Sequence, residues 1–199
     1  MLQYILTESD RYTIGELAQM AIEGGCMWIS LHLPRLSDAE VRAQVAPDVV
    51  DMCREASVFL TVDDRPELAR ELGLHGVRIS AEYLAANAGA SAMSLRDGLG
   101  PEAVIGIETA DASAIPALMA ADIDFVTLPA GFDADHRCAF TSAARESGAV
   151  IPIVAQGDFT PAEAREAIDG GCNGVAVGRS ITDAPDPVVA MLTMLEGLK

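Results

Sequence analysis

Two neighbouring stretches in the last quarter of the chain decide the fold. Residues 150–160 read Val-Ile-Pro-Ile-Val-Ala-Gln-Gly-Asp-Phe-Thr, and residues 173–182 read Asn-Gly-Val-Ala-Val-Gly-Arg-Ser-Ile-Thr. Two runs rich in Val and Ile flank a segment rich in Ala and Glu, which is typical of a strand, a helix and a parallel strand. The second run continues into Gly178, Arg179 and Ser180. Backbone N–H groups at the start of a short helix there predict an anion site, as found after strands 7 and 8 of (β/α)8 barrels.

Strand-like and helix-like segments alternate along the whole chain. Strand patterns cover residues 2–6, 27–31, 58–62, 76–79, 104–107, 125–128, 151–154 and 174–177. Amphipathic helix patterns cover residues 14–23, 38–56, 66–72, 82–99, 112–120, 135–146 and 161–168, and a last one covers 186–195. Pro47 predicts a break or a kink in the second of these helices. Eight strand–helix pairs predict an α/β protein with a closed (β/α)8 TIM barrel, formed as a single domain over residues 1–199.

A dinucleotide-binding open sheet is the alternative within the α/β class. Such folds usually carry a glycine-rich turn after the first strand. The first turn here, residues 6–11, contains no glycine, which disfavours that class.

The charge of the chain limits its partners. The formal net charge is −17 at pH 7. We therefore expect binding neither to nucleic acid, which requires a basic patch, nor to an anionic membrane surface. No apolar run reaches the roughly 18 residues of a membrane-spanning helix. The sequence allows a homodimer without predicting one.

Cysteine usage and the N-terminal residues indicate the compartment. Four cysteines lie far apart without a Cys-x-x-Cys pair, which disfavours a zinc site and predicts buried, reduced thiols. The first residues contain neither a basic segment nor a long apolar segment of a signal peptide. Together these features predict a cytoplasmic protein.

Candidate functional residues follow the strands, because (β/α)8 barrels carry their chemistry at the carboxyl ends of the strands. Five of these ends carry carboxylates, namely Glu8, the pair Asp63 and Asp64, Glu82, Glu108 and Asp158. Converging carboxylates suit Mg²⁺, which is often held by one or two of them together with substrate phosphates. The alternative is that acidic residues cap the helices that follow, and Asp64 before Arg65-Pro66 suits such a cap. The sequence leaves open whether the side chain of Asp63 faces the site.

Histidine at a strand end is a second candidate feature. His32 follows the second strand and could serve as a general acid or base, since its ordinary pKa lies near neutrality. His75 precedes the fourth strand, at the opposite end of the barrel, where a structural role is expected. We expect His136 at a helix start to be exposed and Trp28 to be a packing residue.

Several of these segments resemble the thiamine phosphate synthases and the related thiazole tautomerases. The resemblance covers nearly the whole chain and is clearest in residues 58–79, and it recurs in residues 104–109, 155–163 and 174–181. It implies a (β/α)8 barrel. It also implies the chemistry of the synthase, which joins a pyrimidine diphosphate to a thiazole phosphate with Mg²⁺ on the diphosphate.

The chain departs from that family pattern where the diphosphate is held. Synthases carry Gln-x-Arg-x-Lys after strand 2, and Ser30, His32 and Pro34 stand in its place. Loss of the Arg and the Lys removes the charge-assisted contacts that a diphosphate requires. The candidate substitute cations near the rim are Arg35, Arg78 and Arg179.

Further departures affect the metal and phosphate positions. The Asn-Asp pair after strand 3 reads Asp63-Asp64, so the resemblance keeps Asp64 as a metal ligand. Tyr83 aligns with the second metal aspartate, which leaves the adjacent Glu82 as a substitute. Residues 128–133 replace a Thr-Pro-Thr-Lys motif, and Asp158 replaces the second glycine of the turn after strand 7.

Three functional hypotheses follow. The first is a divergent synthase-like transferase of thiamine biosynthesis that binds a phosphorylated heterocycle such as thiazole phosphate. Its phosphate would lie between Gln156 and Gly157 on one side and the turn at residues 178–180 on the other. The second is an isomerase similar to the tautomerases, which needs only an acid–base pair such as His32 and Glu108. The third is a relative without catalytic activity that binds a phosphorylated ligand, since a fold does not decide a function.

Overall fold

Eight parallel strands close into a barrel in the computed structural model, which describes residues 1–45, 48–87 and 91–199. The strands are β1 (Leu2–Leu6), β2 (Trp28–Leu31), β3 (Phe59–Asp63), β4 (Gly76–Ile79), β5 (Val104–Glu108), β6 (Phe125–Leu128), β7 (Ile153–Gln156) and β8 (Gly174–Val177). Each strand pairs in parallel with the next one in the chain, and β1 pairs with β8. The predicted (β/α)8 barrel is therefore confirmed.

Helices cover the outside of the barrel between the strands. They are α1 (Ile14–Glu23), α2 (Asp38–Val45), α3 (Asp48–Glu55), α4 (Pro66–Leu72), α5 (Ala81–Ala86), α6 (Ala92–Leu99), α7 (Ile115–Ala120), α8 (Ala134–Glu146), α9 (Pro161–Asp169), α10 (Arg179–Thr182) and α11 (Pro187–Gly197). A short 3-10 turn, Ala112–Ala114, precedes α7. Within the described residues, no helix is long and apolar enough to cross a membrane.

Two predicted helices are each replaced by two shorter ones. The segment predicted as 38–56 contains α2 and α3, and Pro47 itself lies outside the described residues. The segment predicted as 82–99 contains α5 and α6, with residues 88–90 outside the described residues. A new helix starts at Ser91 because its side chain and that of Ser94 form a capping box.

The strands have two buried faces. One face packs against the helices in a large apolar cluster, to which Leu60 and Val62 of β3 contribute. The other face looks into the barrel, where Ile5, Phe125, Val154 and Ala176 form a small apolar cluster made only of strand residues. Because side chains alternate along a strand, the residues between those of the large cluster point into the barrel.

The inner face is unusually polar. It carries the buried side chains of Ser30, Thr61, Asp63 and Arg78. A fully buried charge is stable only when it is paired and hydrogen-bonded, so this group of residues must satisfy itself internally. The core of the barrel therefore contains a buried group of polar side chains just below the carboxyl ends of the strands.

Three single-residue predictions stand as follows. His75 lies at the opposite end of the barrel and stacks on Phe59 with ring centroids 4.5 Å apart. His136 lies in the first turn of α8 and is exposed. Trp28 packs against Phe125 with ring centroids 5.0 Å apart. The structural roles predicted for His75 and Trp28 and the exposure predicted for His136 are confirmed.

The prediction that all four thiols are buried is wrong for one of them. Cys26, Cys53 and Cys172 are buried, but Cys138 is exposed, and all four are free. The buried positions of α8 are Arg137, Phe140, Thr141 and Ala144. Cys138 falls off this face of the helix and therefore points to solvent.

Candidate active site

Two adjacent cavities open at the carboxyl ends of the strands. The first has a volume of about 360 Å³ and is lined by residues after β2, β3 and β4, including Asp63 and Asp64. The second has a volume of about 310 Å³ and is lined mainly by residues after β1, β7 and β8, including Gln156 and Gly178. His32 lines both cavities. It is therefore the side chain best placed to act on ligands in either one.

His32 is held by a carboxylate from the next strand. Its Nδ1 lies 3.1 Å from Oδ2 of Asp63, whose side chain is only 4% exposed. Asp63 also accepts a hydrogen bond from Ser30 Oγ at 2.7 Å and one from Arg78 Nε at 3.0 Å. A further bond joins Arg78 Nη2 to the same carboxylate. Asp63 thus faces the site, which the sequence left open.

Arg78 extends this network toward the second cavity. Its Nη1 donates to Oε1 of Gln156 and lies 3.8 Å from Oε2 of Glu108. The guanidinium side chain is only 6% exposed, so it forms the floor of the site and does not project into solvent. Of the three candidate substitute cations, Arg78 is the one at the centre of the barrel. It is tied to residues on β3, β5 and β7.

Burial and pairing together shift the pKa values of these groups. The hydrogen bond that His32 makes to Asp63 is the largest effect on its pKa and raises it above the ordinary value of 6.5. Burial alone would raise the pKa of Asp63, but Arg78, His32 and Ser30 outweigh it and the pKa is lowered. Burial raises the pKa of Glu108 despite the opposing charge of Arg78. Asp63 is therefore ionised, and His32 holds its proton to a higher pH than a free histidine does.

His32 and Glu108 reach the same network by different routes. His32 contacts Asp63 directly, whereas Glu108 lies beside Arg78. The direct partner of His32 is thus Asp63. The sequence offered one signal for this partner, the alternation that places Asp63 on the inner face of β3.

Asp64 does not cap the helix that follows it, and that alternative is wrong. The N-cap of α4 is Arg65, without a side-chain cap. Asp64 instead accepts hydrogen bonds from the backbone N–H of Ser80 at 2.7 Å and from its hydroxyl at 2.8 Å. These two bonds join the end of β3 to the end of β4, and the backbone of Asp64 is left-handed at φ 56°.

The residues predicted to bind metal fit that role unequally. Asp64 lines the first cavity, and its carboxylate is oriented by Ser80 as the ligands of metals commonly are. Glu82 is exposed on the first turn of α5 and is not among the residues that line the first cavity. In the part of the chain that the structure describes, no group of three or more His, Cys, Asp or Glu side chains could hold a metal ion. Of the two predicted metal ligands, Asp64 therefore fits the role and Glu82 does not.

The turns after β7 and β8 lie together, as the sequence predicted, but one of their groups is already bonded. The backbone N–H of Arg179 donates to Oδ1 of Asp158 at 2.9 Å. The guanidinium Nε of Arg179 lies 3.7 Å from the other carboxylate oxygen. Asp158 takes no part in capping α9, whose N-cap is Thr160. Gln156, Gly157, Gly178 and Arg179 line the second cavity, and Ser180 follows on α10 with its hydroxyl oxygen buried.

The fold and the position of the site define a (β/α)8 barrel protein whose candidate active site lies at the carboxyl ends of its strands. The family model described as thiamine monophosphate synthase matches residues 3–181. The chain therefore belongs to the thiamine monophosphate synthase family.

Relatives in this family are similar along almost their whole length. The thiamine-phosphate synthase of Bacteroides thetaiotaomicron is 30% identical, and the match covers 94% of this chain and 91% of that protein. The thiamine-phosphate synthase of Bacteroides fragilis is 29% identical, with 94% of each chain covered.

Solved structures agree on the fold. Thiamine phosphate pyrophosphorylase from Pyrococcus furiosus superposes with a TM-score of 0.83 at 22% identity, covering 98% of this chain and 94% of that chain. Orotidine 5′-phosphate decarboxylase from Pyrococcus horikoshii superposes with a TM-score of 0.72 at 16% identity, covering 100% and 99%. At these identities the superpositions support the barrel architecture alone.

Proposed function

We propose that this protein is an enzyme of thiamine biosynthesis that binds a phosphorylated heterocycle, such as thiazole phosphate, at the carboxyl ends of its barrel strands. The observation that carries the proposal is the second cavity, where the turns after β7 and β8 meet beside His32. Backbone N–H groups in such turns are the usual phosphate ligands of barrel enzymes. The names of the relatives support the same pathway.

The first cavity is poorly suited to a diphosphate. Carboxylates of Asp38, Asp64 and Glu67 line it. Arg65 is the one guanidinium among its described lining residues, and it is bonded to Asp38 and to two backbone carbonyl oxygens. A departing diphosphate is stabilised by positioned cations, and the one guanidinium in the described lining of this cavity is already engaged within the protein. We therefore expect thiamine phosphate formation to be slow, in agreement with the loss of the motif after strand 2.

Proton transfer is the chemistry that the side chains support best. His32, whose pKa is raised, faces both cavities. Glu108, whose pKa is also raised, lies beside Arg78. Groups with pKa values shifted toward neutrality serve as general acids and bases. Mg²⁺ remains part of the proposal, with Asp64 as its ligand from the protein, and it would neutralise negative charge of the ligand when bound.

A tautomerase-like isomerase is the second candidate function. The observation in its favour is that His32 and Glu108 are both tied to the network around Arg78, while the one guanidinium in the described lining of the first cavity, that of Arg65, is already bonded within the protein. An isomerase moves a proton between two atoms of one ligand, so it needs an acid and a base but no diphosphate site.

A thermal-shift experiment tests the proposed function. A ligand that binds only the folded state stabilises it by mass action, roughly 2.7 kcal/mol at a hundred times its Kd. For a chain of this size that corresponds to a rise in Tm of roughly 5 to 10 °C. We expect this rise with thiazole phosphate and no rise with pyrimidine diphosphate, each with Mg²⁺. A rise with both ligands would restore the synthase function, and no rise with either would contradict both candidates.

A further inference from the structure

The carboxylate of Asp63 is saturated with hydrogen-bond donors. Oδ1 accepts from Ser30 Oγ and Arg78 Nε, and Oδ2 accepts from Arg78 Nη2 and lies within hydrogen-bond distance of His32 Nδ1. An ionised carboxylate offers about four acceptor positions, and two bonds on each oxygen fill them. The residue is also buried, with 6% of its surface exposed. Asp63 therefore has little capacity left to accept a proton or to bind a substrate itself.

The donors around Asp63 decide which nitrogen of His32 carries hydrogen. A carboxylate that is paired with a guanidinium is ionised and can only accept. His32 Nδ1, at 3.1 Å from Oδ2, must therefore carry the proton of that contact. In the neutral imidazole the second nitrogen, Nε2, is then the unprotonated one. The same logic orients the histidine of carboxylate–histidine pairs in hydrolases.

We propose that Asp63 is a positioning residue that fixes His32 in the Nδ1–H form and leaves Nε2 to exchange protons with the ligand where the two cavities meet. Two observations besides the contact support this. His32 lines both cavities, and its side chain is 41% exposed, so part of the ring faces the ligand space. Among the described residues, Nε2 has no hydrogen-bond partner.

The proton balance of the step is simple. As an acid, the imidazolium breaks its Nε2–H bond, a bond from hydrogen to a ligand atom forms, and the positive charge leaves the ring. The Nδ1–H bond to Asp63 persists throughout, so the ring does not turn between the two states. The reverse transfer regenerates the imidazolium. This step rests on the proposed function, whereas the state of the ring can be measured without any substrate.

Arg78 holds the positioning residue in place and joins it to the second cavity. Its guanidinium spans from Asp63 to Gln156, which lines that cavity. A planar, always charged fork suits two such partners, and a lysine ammonium does not. The guanidinium of Arg78 thereby links the proton-transfer group to the proposed phosphate cavity.

Side-chain ¹⁵N NMR of the protein without ligand tests the positioning role. The chain has three histidines, at positions 32, 75 and 136, so the signals can be assigned by single substitutions. We expect His32 to titrate as the Nδ1–H tautomer and Asp63→Asn to lower its titration midpoint and mix its tautomers. The matched control is Asp133→Asn, because Asp133 contacts a different histidine, His136, at 2.7 Å on the exposed surface. That variant should leave the His32 signals unchanged.

Each outcome of this experiment decides the proposal. An Nε2–H tautomer of His32 in the unmodified protein overturns it, even if Asp63→Asn does not fold. An unchanged midpoint and tautomer in a folded Asp63→Asn variant also overturns it. With thiazole phosphate as the probe, a shift in the pH profile of its binding to Asp63→Asn supports the proton-transfer step. Absence of any binding, with the Nδ1–H tautomer present, would refute the proposed function and leave the positioning role standing.

Discussion

The carboxylate of Asp158 accepts a hydrogen bond of 2.9 Å from the backbone N–H of Arg179, in the turn where a substrate phosphate is expected. The side chain of Asp158 is half exposed, and it lines the second cavity. A carboxylate in this position uses the same N–H donor that a phosphate oxygen would use, and it repels the negative charge of the phosphate. Binding of the proposed phosphate ligand would therefore compete with a contact within the protein.

Replacing Asp158 with Asn is expected to increase the affinity for inorganic phosphate on the order of tenfold, which corresponds to about 1.4 kcal/mol. Asn keeps the size of the side chain and an oxygen acceptor but removes the negative charge. The measurement is a calorimetric titration with phosphate at low salt, where charge effects are least screened.

The matched control for this variant is Glu8→Gln. Glu8 lines the same cavity, but it is bonded to Arg35 and not to the turn after β8. The same change of charge there should raise the affinity for phosphate less than Asp158→Asn does. Equal effects of the two variants would mean that only the overall charge of the cavity matters.

Gly178→Val is expected to abolish binding of thiazole phosphate while the barrel stays folded. An added Cβ would lie 3.4 Å from the backbone oxygen of Ile5 and 3.8 Å from Oδ1 of Asp158, which are ordinary contacts. The branched remainder of the valine side chain would then occupy space beside Asp158 in the cavity. Far-ultraviolet circular dichroism checks the fold, and Gly178→Ala should show a smaller loss of affinity. Unchanged affinity in the valine variant would refute the location of the phosphate.

Arg78→Met is expected to destabilise the protein by about 3–5 kcal/mol, because it leaves Asp63 buried without its cation. The measurement is the free energy of unfolding in urea at pH 7. Arg42→Met is the matched control, since Arg42 also pairs through Nε with a carboxylate, that of Glu71, but on the exposed surface. Little change is expected there, as surface ion pairs contribute little. A similar small loss in both variants would mean that the buried network is not needed for stability.

The pH dependence of stability should reveal the contact between His32 and Asp63. The pKa of His32 is raised in the folded protein above its ordinary value of 6.5. The contribution of protonated His32 to stability is therefore complete below pH 6.5, and it is lost as the pH rises through the pKa that His32 has in the folded protein. The difference in unfolding free energy between the protein and His32→Gln should shrink over that window. A difference that stays constant with pH would contradict the raised pKa.

The barrel was predictable from the sequence because strand and helix periods alternate eight times. The observed strand boundaries differ from the predicted ones where a single residue limits the backbone hydrogen bonding. The seventh strand was expected at 151–154, but β7 is Ile153–Gln156. Pro152 has no N–H to donate to the ladder, so the strand begins after it, although its carbonyl still accepts from Val126.

The candidate site was predictable only in its location. Strand ends pointed to His32, Glu108 and the turn at Gly178, but the partners of these groups depend on contacts between strands far apart in the chain. Arg78 reaches Gln156 across 78 positions of sequence, and no local pattern encodes that distance. The sequence showed Asp158 in place of a glycine in the turn after strand 7, yet its bond to Arg179 depends on how two separate turns meet.

The central claim is that the protein binds a phosphorylated heterocycle but has lost the site for a diphosphate. A coupled assay for thiamine phosphate, with pyrimidine diphosphate, thiazole phosphate and Mg²⁺ together and Asp64→Ala as the comparison, tests it most directly. We predict saturable binding of thiazole phosphate and almost no thiamine phosphate. Rapid product formation that falls in Asp64→Ala would contradict the claim and establish an active thiamine phosphate synthase.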